Sequence, residues 1–282
     1  MTDEILELAP GVGPAAFSSG GRAAFETLFL GTRERGLAHL EIHLAALPRR
    51  VGRDQPWSGL INANQCEVDA THLRTCDVAA ALLVLELDRN ADSVGDGEAM
   101  LTHLYYQGDA EERRMILRSL PFLPRSSATI TLLEEAHRTN DETLFAAGLL
   151  DSSLPARVLD EAAWNRIVLK VAFIGTEGER LFELVGRANA TLSSMLLDFR
   201  RERLAAGRPV WGPTLEIASQ APCPGIVDAV VEDLNHGDPE ARRAAARACL
   251  KVSDPRITEA AAARLTGEPE ADIREILARS LA

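Results

Sequence analysis

Strand-forming residues are scarce in this sequence. Aromatics make up 5% of its 282 residues, while Ala, Leu, Arg and Glu, which lose little entropy on entering a helix, are plentiful. That balance argues against a β-sandwich or barrel. Positive charge is also short: 30 basic residues face 42 acidic ones, a net charge of −12. Such a chain repels nucleic acid and anionic lipid over long range, so no nucleic-acid partner is expected. Cysteine is limited to Cys66, Cys76, Cys223 and Cys249, with no CxxC pair. The reading is reduced, mostly buried thiols in a cytoplasmic protein. The longest apolar run, residues 78–85, is far short of the roughly 20 residues a membrane span needs. The acidic opening MTDEILELAPGVGP lacks a basic n-region, so no signal peptide is expected.

Catalytic and cofactor motifs are missing as well. There is no GxSxG elbow, P-loop or HExxH. Gly11-Val12-Gly13-Pro14-Ala15-Ala16 has dinucleotide-loop spacing, but no strand precedes it and Pro14 lies inside it. Asp88-Arg89-Asn90-Ala91-Asp92 begins like a calcium loop, yet Ser93 stands where Gly is needed and Ala99 where Glu is needed. His39 and His43 share a helix face and read as a partly exposed pair, since two ligands do not make a zinc site. No cofactor or metal is expected.

What is present is helix. Apolar residues at three- and four-residue spacing mark helices over 22–35 and 37–47. Thr75 is placed to cap a helix through Leu87, and helices follow over 98–106, 111–120, 127–139 and 141–150. Asp160 opens one through Ile174, Asn189 caps one through Ala206, and Gly207 stops it. Residues 48–74 and 89–97 read as loops, and no segment shows sustained two-residue alternation.

A local pattern recurs. Gly237-Asp238-Pro239-Glu240-Ala241 opens one helix and Gly267-Glu268-Pro269-Glu270-Ala271 another; Gly108-Asp109-Ala110-Glu111-Glu112-Arg113-Arg114 aligns with Gly237-Asp238-Pro239-Glu240-Ala241-Arg242-Arg243. In each, Gly is read as a left-handed helix stop, the acid as a cap, and Pro as a first-turn residue with no amide hydrogen to strand. A repeating two-helix unit that buries a shared core predicts an all-α, HEAT-like α-solenoid of antiparallel helical hairpins.

One predicted helix carries unexpected polarity. Asp160 to Ile174 reads DEAAWNRIVLKVAFI, apolar nearly all round, which predicts a central position. It nevertheless bears Asn165, Arg166 and Lys170, and the next helix offers Asp198, Glu202 and Arg203. Two readings stand: a salt-bridge network that fixes helix packing, or a pocket with convergent polar groups.

In this stretch the chain resembles the EboA-domain family of metabolite traffic proteins. The resemblance is carried by Arg138-Thr139-Asn140, Ala163-Trp164-Asn165-Arg166-Ile167-Val168-Leu169-Lys170-Val171-Ala172-Phe173-Ile174-Gly175, Arg187-Ala188-Asn189, Met195-Leu196-Leu197-Asp198-Phe199 and Glu202-Arg203-Leu204-Ala205-Ala206-Gly207-Arg208-Pro209-Val210, with a weaker match at residues 47–52. It covers residues 110–212. Arg201 and Leu204 stand where the family has His and Trp, and Ser152-Ser153-Leu154-Pro155 replaces its Asn-Pro-Tyr. The chain then reads as a single helical domain. Divergent N-terminal helices occupy 1–106, an EboA-like core 107–212, and HEAT-like hairpins 213–282.

The resemblance implies a non-enzymatic binding or scaffold protein that handles a secondary-metabolite precursor in the cytoplasm, with a small metabolite or proteins of the same gene cluster as partners. The expected ligand-binding residues are Asn140, Trp164, Asn165, Lys170, Asn189, Asp198, Glu202 and Arg203. The alternative is an enzyme acting on a small, largely apolar metabolite, with Asp198 or Glu202 as acid or base.

Overall fold

A computed structural model describes residues 17–282. The Gly11–Ala16 loop therefore lies outside the described residues. The chain divides into two compact units. The first comprises residues up to Asp160 together with Arg180–Phe182, and the second comprises Glu161–Glu179 and Glu183–Ala282. Helix dominates both, and among the described residues strand is confined to one hairpin.

The first unit is built around α4 (Thr75–Arg89), every residue of which from Thr75 to Leu87 is buried. Around it pack α1 (Ser19–Arg35), α2 (Leu37–Leu44), α3 (Leu47–Val51), α5 (Val94–Gln107) and α6 (Ala110–Ser119). The uninterrupted apolar run at 78–85 thus serves a helix covered on all sides. Two acids on it require partners, because an unpaired buried charge is too costly to keep. Asp77 receives Arg114 at 2.6 and 3.0 Å. Glu86 receives Arg33, and Asn90 Nδ2 at 3.2 Å. The unit continues with α7 (Ser127–Arg138), α8 (Glu142–Leu149) and α9 (Leu154–Val158).

The segment at 48–74, expected to be loop, holds α3 and an antiparallel hairpin, β1 (Leu60–Ala63) with β2 (Cys66–Asp69). Its turn residues Asn64 and Gln65 both have positive φ, 46° and 64°, the sense that matches strand twist. Four-residue strands are too short for alternation to stand out, although Cys66 and Val68 do point inward. Helix α5 begins at Val94, earlier than expected, with Ser93 Oγ accepting from Asp96 N at 3.2 Å.

Asp151 fastens this hairpin. Its carbonyl accepts from Asp69 N, and its own N–H donates to Arg180 O, both at 2.8 Å. Its carboxylate accepts from Arg118 Nη2 at 2.8 Å and from Arg180 Nη2 and Nε at 2.8 and 2.9 Å, with His72 Nε2 3.6 Å away. The backbone there is left-handed (φ 65°), a conformation Asp tolerates better than most residues. Burial alone would push the carboxyl up, but Arg180 and Arg118 hold it below its ordinary value. The pair His39 and His43 is also more enclosed than expected. His39 is buried against Gly31, where a Cβ would lie 2.2 Å from His39 Nε2, and burial followed by Arg35 lowers its pKa.

The second unit contains α10 (Glu161–Ile174), α11 (Ala190–Ala205), α12 (Thr214–Ala218), α13 (Ile226–Leu234), α14 (Pro239–Cys249), α15 (Pro255–Gly267) and α16 (Ala271–Ser280). From α12 onward each helix touches the next and, where one exists, the next but one. Small residues Ala245, Ala246 and Ala248 let them close over Val230, Ile257 and Ile273.

The repeated turns use a device that differs from a left-handed glycine. Gly108 has φ −70°, and Gly237 and Gly267 are absent from the positive-φ residues. Arginines from the following helix reach back instead. Arg113 Nε donates to Gly108 O (2.9 Å), Arg242 Nη1 to Gly237 O (2.9 Å), and Arg274 Nη1 to Pro269 O (2.7 Å). They satisfy carbonyls that the turn leaves open. Asp109 and Asp238 cap α6 and α14 as the sequence predicts.

Candidate functional site

The polar residues of α10 and α11 separate into two groups. Helix α10 is one-faced and not buried all round: Trp164, Asn165, Val168 and Val171 are buried, while Arg166 and Phe173 are exposed. Asn165 and Asn189 exchange side-chain amide hydrogen bonds at 3.1 and 2.9 Å. Asn189 Oδ1 also accepts from Leu192 N at 2.8 Å, capping α11. The Arg187 guanidinium lies over the Trp164 ring, 5.0 Å from its centroid. Trp164 Nε1 is buried with no hydrogen-bond partner among the described residues. Trp164, Asn165 and Asn189 are thus brought together in a closed fastening, with both amides spent on each other. Lys170 is half-buried on α10, and burial lowers its pKa.

Asp198 and Glu202 lie exposed on α11, and Asp198 pairs with Arg201 one turn on. Arg203 Nε donates to Pro209 O at 2.9 Å, so this side chain holds a loop. Asn140 lies exposed in the first unit, between α7 and α8. The buried charge of α11 is instead Arg200, which binds Asp233 at 3.2 Å through Nε, Asp233 again through Nη2, and Glu232 at 2.9 Å.

The loop held by Arg203 forms one wall of a cleft of about 400 Å³ in the second unit. Gly207, with φ 62°, turns the chain out of α11 into it. Leu204, Pro209, Val210 and Trp211 line that side; Ala241 and Ala244 of α14 line the other. Trp211 is fixed from both ends: its Nε1 donates to Thr176 O at 2.7 Å, and its carbonyl accepts from Thr214 Oγ1 at 2.6 Å. Most acids at the cleft are committed to the framework. Asp233 is held by Arg200, Glu240 pairs with Arg243, and Asp238 Oδ1 accepts from Glu240 N at 3.0 Å. His236 Nδ1 accepts from Asp238 N at 3.1 Å, so the neutral ring carries its proton on Nε2, ready to donate. The Arg208 guanidinium has no partner among the described residues. The arrangement offers an apolar slot with two uncommitted donors, which suits recognition better than proton transfer.

The family described as metabolite traffic protein EboA matches residues 57–216. The chain belongs to the EboA family. The EboA match takes in the Trp164–Asn189 fastening and the loop wall of the cleft, whereas the wall from Asp233 to Ala244 lies beyond it. No curated protein and no solved structure matches the chain.

Sequence reasoning missed Trp211, His236 and Arg200. Trp211 had a signal, as one of three tryptophans, flanked by Pro209 and Pro213. His236 and Arg200 had none, because each depends on which helix lies opposite.

Proposed function

We propose that this EboA-family chain is a non-enzymatic binding protein that handles a secondary-metabolite precursor. A small, mostly apolar molecule would sit in the cleft between residues 204–215 and α14. The observation that carries this reading is the cleft's composition: an apolar slot beside Trp211, whose acids are mostly tied to arginines or a helix cap while His236 and Arg208 keep free donors. The family description, metabolite traffic, points the same way. The recurring turn and the sequential contacts of α13 to α16 support a HEAT-like α-solenoid as the carrier of this site. No described helix is long and apolar enough to cross a membrane, which fits a carrier that meets other proteins of its gene cluster. The role of Asn165 and Asn189 in this reading is to position α11, and that of Arg203 is to shape the loop. The enzymatic alternative draws less support, since Asp198 is exposed and paired with Arg201.

Native mass spectrometry of protein purified from its host tests this. Wild type should retain a small molecule, and Ala244→Phe, which fills the slot, should lose it without lowering the melting temperature. An unchanged bound molecule in Ala244→Phe would sink the reading, as would an empty wild-type protein across several growth conditions.

A further inference from the structure

The first unit holds a second cleft, of about 240 Å³, between the end of α4, the start of α5 and the segment that leads into α7. Its size is below the roughly 300–1,000 Å³ of sites for drug-sized ligands, so it takes a smaller molecule. Leu87, Met100, Leu101 and Leu123 supply apolar walls, and Asp88, Glu98 and Arg125 are its charged residues. Asp88 occupies the last turn of α4, half-buried, and Arg125 stands at the exposed rim.

Neither the Asp88 carboxylate nor the Arg125 guanidinium has a hydrogen-bond or ion-pair partner among the described residues. This is unlike the other buried or half-buried acids around α4. Asp77 has Arg114, and Glu86 has Arg33. Glu98, the other acid at this cleft, is committed to the start of α7, where its carboxylate accepts from Ser127 N at 2.9 Å and Ser127 Oγ at 2.7 Å. Asp88 is also placed there by a specific backbone feature. A Cβ on Gly97 would lie 2.4 Å from Asp88 Oδ1, so only glycine lets the carboxylate rest against the first turn of α5. Burial raises the Asp88 carboxyl above its ordinary value, the expected result when no cation answers it.

A partly desolvated carboxylate lacking a cation and a guanidinium lacking an anion, at one cleft with apolar walls, describe one ligand chemistry. We propose that this cleft binds an apolar α-amino acid, with its ammonium on Asp88, its carboxylate on Arg125, and its side chain against Leu87, Met100, Leu101 and Leu123. Arg matches a carboxylate with two parallel donors, and its flexible stem at the rim lets it close over the ligand. The cleft lies wholly within the residues matched by the EboA family.

Isothermal titration calorimetry on the full chain tests this with L-leucine, L-methionine and L-phenylalanine. The controls are 3-methylbutylamine and 4-methylpentanoate, which each keep one charge of leucine. At least one amino acid should bind saturably, and each single-charge control should bind tenfold or more weakly, as loss of a charged hydrogen bond of about 1.5–3 kcal/mol requires. Asp88→Asn and Arg125→Gln should each weaken binding by a similar factor while keeping the wild-type melting temperature. Ala244→Phe, in the other cleft, should leave it unchanged. Absence of saturable binding by all three amino acids overturns the proposal. So does equal affinity for a single-charge control, wild-type affinity in Asp88→Asn, or loss of binding in Ala244→Phe.

Discussion

Two stretches of the chain share a seven-residue pattern and bury opposite arginines. In Gly108 to Arg114 the second arginine, Arg114, is buried on Asp77 of α4, while Arg113 stays half-buried over the Tyr105 ring. In Gly237 to Arg243 the first arginine, Arg242, is buried on Glu268 at 2.9 and 3.0 Å, while Arg243 reaches the exposed carboxylates of Asp272 and Glu240. Both stretches make the same turn, with an Asp cap and an arginine returned to the glycine carbonyl. One residue is about 100° around a helix, so exchanging the buried arginine amounts to facing a different neighbour. Helix α6 faces α4, which is covered on all sides; α14 faces the turn before α16. Local sequence sets the turn, and the tertiary partner decides which charge is enclosed.

The comparison can be broken by mutation. The largest effect is expected at Asp77→Ala, which leaves the buried Arg114 only the half-buried Glu111, at 3.1 and 3.3 Å, strips the Arg74 N–H of its acceptor, and should cost about 3 kcal/mol in urea unfolding. Replacing both, Asp77→Leu with Arg114→Met, should recover most of that loss, because a well-packed apolar pair tolerates the site. A smaller loss, about 2 kcal/mol, is expected for Arg242→Ala, because Glu268 keeps Arg264 at 2.7 Å and the Glu270 N–H at 3.1 Å. If Arg242→Ala proves costlier than Asp77→Ala, the contrast between the two turns is wrong.

Acid sharpens the same contrast. The Arg242 hydrogen bonds hold the Glu268 carboxyl down at about 2. Its folded value lies below that of the unfolded chain, so its stabilisation is complete above the ordinary glutamate range and is lost as the pH falls toward 2. In Arg242→Ala the folded value should rise toward the ordinary one, so the acid-dependent loss should be smaller and end at higher pH, which urea midpoints measured between pH 2 and 5 will show. The smallest effect is expected at Arg243→Ala, under about 1 kcal/mol, since both of its partners are largely exposed.

Several helices were legible through their caps, although Ser93 was missed and Thr75 lies just inside its helix, where Arg74 is the cap. Asp109, Asp141, Asn189 and Asp238 each open the helix expected of them. The sequence misled about which helix is central. The stretch at 160–174 looked apolar all round because Ala162 and Phe173 stand on its exposed side with Arg166, whereas the short run at 78–85 marks the helix that is enclosed. The hairpin was hidden because four-residue strands carry only two inward positions each. None of the expected ligand-binding residues lines the candidate cleft. Trp164, Asn165 and Asn189 do meet, since an amide pair between two helices is a local affair. The clefts were not legible, because each is formed where segments distant in sequence leave a gap, and no periodicity records a gap.

Asp151 sets an order of events for chain synthesis. It sits at the end of the hairpin's support, yet two of its strongest side-chain hydrogen bonds and its own N–H go to Arg180, which follows the whole of α10. A nascent chain released only as far as Asp160 would hold a buried carboxylate answered by Arg118 and His72 alone. The first unit is not one continuous stretch of sequence; it also takes in Arg180–Phe182, which are added only after the fourteen residues of α10.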